Sequence, residues 1–264
     1  MTPNEYYKAL KYQKKQIAKS KQVQQDNKIK IETIIDSDDK VVIKYPEYRE
    51  AFDYVESKFP GLNVLNVTIF KVPRKSLEKA GYGGVGGLYV FHKKQVIVSD
   101  DPTGGMSGKK SIKANLSVDE VIVHELLHYV SHKFSNSNSV LMEEEFAYGN
   151  SVPYLLSKGY TDKEIVIGNM LPFLYDQVDD QKVLTSVLKK KNITKAQFNS
   201  ILRSAKKEGN KSKYQPSIDA IFEETHDAVK QKAYEAGMLL VDKYRDVPDG
   251  ELDEGDSEYS NINI

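Results

Sequence analysis

The sequence contains no cysteine. That excludes disulfides, thiolate metal sites and cysteine nucleophiles. It also carries no charge excess: 38 Lys and Arg balance 38 Asp and Glu. Nothing global therefore draws it to nucleic acid or an anionic membrane. No stretch approaches the roughly 18 apolar residues of a membrane span. The opening MTPNEYYKALKYQKKQ has no apolar core of the kind a secretory signal needs. The expectation is a cytoplasmic or virion-associated protein with no nucleic-acid and no membrane partner. Histidine is scarce as well. Of five in the chain, three fall within VHELLHYVSH, residues 123–132.

The 264 residues, 39% hydrophobic and 29% charged, are enough for a sizeable core. Charge is unevenly placed. Eight lysines in residues 1–30 face only Glu5 and Asp26, whereas residues 246–258 hold seven acids and no base. Four segments are expected: a basic polar arm (1–30), a catalytic subdomain (31–160), a helical subdomain (161–245) and a disordered acidic tail (246–264).

Helical spacing marks 45–59. GLNVLNVTIFKV (61–72) reads as a strand, and GLYVF (87–91) with KQVIVSD (94–100) as a hairpin. A capping box, Ser117 with Glu120, opens a helix over 117–134. A second helix is expected from about Val140 to Asn150, with Pro153 interrupting it. Beyond Thr161 the pattern is mostly helical. Thr194 and Gln197 form another capping box, and 218–244 is a long amphipathic helix. The fold class is α+β: a small twisted sheet packed on the histidine helix, followed by a mostly helical C-terminal part. GYGGVG (81–86) matches the dinucleotide fingerprint in letters only. It lies between a helix-like and a strand-like segment, the reverse of what that motif needs, and reads as a mobile loop beside a strand.

On a helical wheel, His124 and His128 stand one turn apart, away from the face of Val123, Leu126, Leu127 and Val130. Two rings so placed can meet at one metal ion, and Glu125 lies beside them in position to hydrogen-bond a metal-bound water. That is the physical content of H-E-x-x-H on a helix. His132 continues the spacing, but three histidines over two turns cannot converge on one tetrahedral ion. It reads as a helix-end residue favoured by the dipole. A catalytic zinc needs a third protein ligand. VLMEEEFAYGNS (140–151) offers Glu143, Glu144 and Glu145. Helix phase puts Glu144 with the inward-facing residues, and Glu143 is the next candidate.

HELLH followed by EEEFAYG resembles the gluzincin metallopeptidases over about residues 60–160. The resemblance implies a zincin-like fold, one Zn2+ per chain held by His124, His128 and Glu144, Glu125 as general base, and a strand edge that binds extended peptide. Fifteen residues separate His128 from Glu144, a short interval beside thermolysin-like members, and Glu145 stands where a glycine is usual. Similarity to thermolysin-like enzymes also raises His226 as a catalytic, transition-state-stabilising residue, against its reading as a packed core histidine. Tyr148, on the Glu144 face, is the alternative donor. The function expected is a zinc metalloendopeptidase acting on protein or peptide. The alternatives are a zincin-fold structural or virion component and a peptidase of peptidoglycan cross-links. A lysine- and tyrosine-rich composition fits a protein of a low-GC bacterium or its phage.

Overall fold

A computed structural model of the chain describes residues 30–32, 34, 38–102, 117–134, 140–208 and 213–247. Four short β-branched or glycine-led runs pair into a mixed sheet: β1 (Val41–Ile43), β2 (Thr68–Val72), β3 (Gly87–Val90) and β4 (Gln95–Ser99). The order is β1-β2-β4-β3, with β2 and β4 parallel and the outer pairs antiparallel. The expected hairpin is present, registered from Gly87 opposite Val98 to Val90 opposite Gln95. Side chains alternate between two cores, as the pleat requires. Ile69, Val96 and Val98 face one; Phe70, Val72 and Ile97 face the other. The strand expected over 61–72 is shorter than its composition implies. Asn63 takes a left-handed conformation and a 3₁₀ turn occupies Val64–Asn66, so the ladder begins only at Thr68.

Helix α1 (Arg49–Lys58) and α3 (Val118–Phe134) cover the first face; α2 (Arg74–Lys79) lies on the second. Helix α3 is buried almost all round: Val121, Ile122, Val123, Leu126, Leu127, Tyr129 and Val130 are each at most 6% exposed. A helix apolar on so many sides belongs inside a fold. Its start uses half of the expected capping box. The Ser117 N–H donates to Glu120 Oε2 at 2.8 Å, while the Ser117 hydroxyl donates instead to Asp119 Oδ1 at 2.6 Å.

Helix α4 runs Val140–Ser157, so Pro153 lies inside it and does not interrupt it. Proline removes one backbone donor and crowds the preceding turn. Tertiary packing overrides this, because Val152, Tyr154 and Leu155 around the proline are all buried. Side chains also supply bonds in that turn: Asn150 Nδ2 donates to the Phe146 carbonyl and the Ser151 hydroxyl to that of Tyr148.

The C-terminal part is helical: α5 (Asp162–Ile165), a π turn (Val166–Met170), α6 (Leu171–Gln177), α7 (Asp180–Lys190), α8 (Lys195–Glu208) and α9 (Gln215–Tyr244). The Thr194–Gln197 capping box forms in both directions. The long α9 packs on α4, α6 and α7. Helix α4 serves both halves. Ala147 and Tyr154 join the sheet-side core, and Val152 and Leu155 join the helical one. The fold is α+β, mostly helical with a small mixed sheet. Nearly all of the basic arm and the acidic tail falls outside the described residues. Among those described, no helix is long and apolar enough to cross a membrane.

Candidate metal centre

The spacing of His124 and His128 brings both Nε2 atoms to the same side of α3, 3.1 Å apart. Glu144 reaches them from α4, with Oε2 at 3.4 Å from His124 Nε2 and Oε1 at 3.6 Å from His128 Nε2. His124, His128 and Glu144 form the single group of potential metal-holding side chains among the described residues. Metal–ligand bonds of about 2.0–2.2 Å at tetrahedral angles place ligand atoms about 3.3 Å from one another. The observed separations bracket that value. Two imidazoles and a carboxylate also suit zinc chemically. There is one departure: His124 Nδ1 is buried with no hydrogen-bond partner among the described residues, where zinc-binding imidazoles usually donate from the far nitrogen.

The three glutamates of α4 divide as their phases require. Glu144 meets the histidines, Glu143 lines the adjoining cleft, and Glu145 pairs with Lys243 of α9 at 3.5 Å. Desolvation alone would raise the Glu144 pKa. The hydrogen bonds with His124 and His128 outweigh it and hold the carboxyl well below the usual range. In His128, burial opposes the charge, but the bond with Glu144 and the charge of Glu125 push its pKa up.

Glu125 is only 6% exposed. Burial raises its pKa, partly countered by His128 and His124, and a backbone hydrogen bond from Tyr89 helps to hold its ionised form. Strand β3 packs directly on this residue. A Cβ built on Gly87 would stand 2.6 Å from Val121 Cγ1 and 2.9 Å from Glu125 Cγ and Oε1. Only glycine lets the strand approach α3 so closely.

The group opens onto a cleft of about 690 Å³. One wall is β3 and the glycine loop, and the other comes from the π turn and α6, through Asn169, Phe173 and Asp176. The glycine loop, expected to be mobile, is fastened by Arg74. Its guanidinium donates to the Val85 carbonyl at 3.1 Å and to that of Gly83. Tyr148 lines the cleft, its ring 4.4 Å from that of His124 and 5.4 Å from that of Phe173. Burial first, then the charges of Glu144 and Glu125, raise its pKa well above that of a free phenol.

The structure does not bring His226 to this site. It is absent from the cleft lining and meets Tyr175, whose hydroxyl is 2.5 Å from His226 Nδ1. His226 is half-buried on α9, on the side that meets α6 rather than the candidate metal group. His132, read as a helix-end residue, does line the cleft. Sequence reasoning missed Tyr89, Asn169 and Phe173. Tyr89 could have been found as an inward position of the GLYVF strand. The other two arrive from a distant turn with no local signal. Comparison with protein-family models, with curated proteins and with solved structures returned no match.

Proposed function

We propose that this protein is a zincin-like, gluzincin-type zinc metallopeptidase that hydrolyses peptide bonds with Glu125 as general base. The observation that carries the reading is a buried carboxylate standing beside a three-ligand group at the wall of an open cleft. A zinc ion held by His124, His128 and Glu144 would supply Lewis acidity to the scissile carbonyl and lower the pKa of water at its open position. Glu125 takes the proton of the attacking water and delivers it to the leaving amine. Burial raises its pKa, which favours uptake of the water's proton. Tyr148 replaces His226 as donor to the developing oxyanion. Its phenol is held protonated, the form that can donate. The outer side of β3 ends the sheet and offers an extended peptide a strand to lie along.

A site that only stapled the fold would have no use for a base, and it would not need an open cleft. The test is hydrolysis of labelled casein by zinc-loaded protein. Wild type should cleave it and lose the activity to a chelator. Glu125→Gln should fall by about 10²–10⁴-fold with the fold intact. Tyr148→Phe should lower kcat by about 10²-fold with little change in KM. Equal cleavage by wild type and Glu125→Gln would refute the mechanism.

A further inference from the structure

Beyond the reacting group, the cleft has a recognisable chemistry of its own. Glu143 and Asp176 line it, and no lysine or arginine does among the described residues. Neither carboxylate has an ion-pair partner among those residues. One end is aromatic. Phe91 is 61% exposed, unusual for phenylalanine, and its ring stands edge-on to His132 with centroids 4.4 Å apart. Tyr89 closes the corner, its ring centroid 6.1 Å from that of His132. Glu143 lines the same cleft as these three rings. Aromatic faces beside a carboxylate attract a cation on an apolar stem: the rings accept the methylenes and the charge, and the carboxylate supplies the counter-ion.

We infer that the corner formed by Tyr89, Phe91, His132 and Glu143 is a substrate subsite for a lysine or arginine side chain, so that the cleft selects basic peptides. The inference rests on the peptidase reading for its biological meaning, but not for its test. A neutral side chain gains nothing from Glu143, and an acidic one is repelled by it. Specificity then comes from rejection as much as from attraction.

The experiment measures binding of short fluorescein-labelled peptides, identical except for one central residue, to the Glu125→Gln variant with and without zinc. The residue is Lys, acetyl-lysine or Glu. The lysine peptide should bind about ten-fold tighter than the acetyl-lysine peptide, and tighter still than the glutamate one. Adding Glu143→Gln or Phe91→Ala should shrink that ratio to about two-fold or less. Both lie at the surface of the cleft, and a circular dichroism melt establishes that each variant is folded. Equal binding of all three peptides, or a lysine preference untouched by both changes, overturns the subsite. Casein cleavage by wild type with no lysine preference would keep the hydrolase and remove the subsite. Lysine-selective binding with no cleavage of any substrate would do the reverse.

Discussion

Glu125 and Glu144 are carboxylates beside the same two imidazoles, yet their surroundings drive them in opposite directions. Glu144 points between the rings and its pKa is held low; Glu125 is sealed under β3 and its pKa rises. On the proposed reading, two carboxyls separated in this way would divide the work of holding a metal and moving a proton. Gly87 maintains the division. Gly87→Ala should displace the Glu125 carboxylate, because the new methyl would overlap it. The expected outcome is a fall in kcat of about 10²-fold with zinc content unchanged, read by single-turnover cleavage and metal analysis. Loss of zinc together with activity would mean that Gly87 supports the fold rather than the base. At this scale much was legible. His124, Glu125 and His128 follow from spacing alone, and Glu144 from the phase of a second helix. His226 was not legible, because phase says that a residue faces inward but not which neighbour it meets.

Helices α3 and α4 carry His124, His128 and Glu144, so their mutual register sets the candidate site. A polar clasp fixes it. The Tyr154 hydroxyl on α4 donates to Asp119 Oδ2 on α3 at 2.8 Å, and Lys158 Nζ lies 3.9 Å from the same oxygen. Burial would raise the Asp119 pKa, but bonds from Ser117 and Tyr154 hold it below its ordinary value. A carboxyl whose folded pKa lies below the unfolded one, about 3.9, stabilises the fold above that pH and ceases to as pH falls through the folded value. Asp119→Asn should therefore cost about 1 kcal/mol at pH 7, a cost that shrinks below about pH 4. Urea unfolding across that range checks it, and a loss independent of pH would contradict the clasp. Element boundaries were less legible than elements. Pro153 reads as a stop because proline ends isolated helices; buried residues on both sides of it carry α4 through.

Across the whole molecule, α9 ties the helical part to α4, which carries Glu144. Tyr244, near its end, lies against Gly149, where an added Cβ would meet the ring at 2.4 Å. Gly149→Ala should overpack this contact and cost about 1–3 kcal/mol in a chemical melt, while Gly159→Ala, with nothing within 4 Å, should suffer only its backbone strain. No local pattern announces that Asn169, Phe173 and Asp176 form the far wall of the cleft, since only the packing of α4, α6 and α9 brings them there. The fold class was readable from periodicity, but the cleft between its parts was not.

The most direct test is zinc content per chain in purified wild type, Glu144→Ala and Glu125→Gln, measured beside casein cleavage. The account predicts about one zinc in wild type and in Glu125→Gln, activity in wild type alone, and weakened zinc binding in Glu144→Ala. No zinc in any of the three, even after reconstitution, would mean that the convergence of His124, His128 and Glu144 is an ion-pair cluster and not a metal centre.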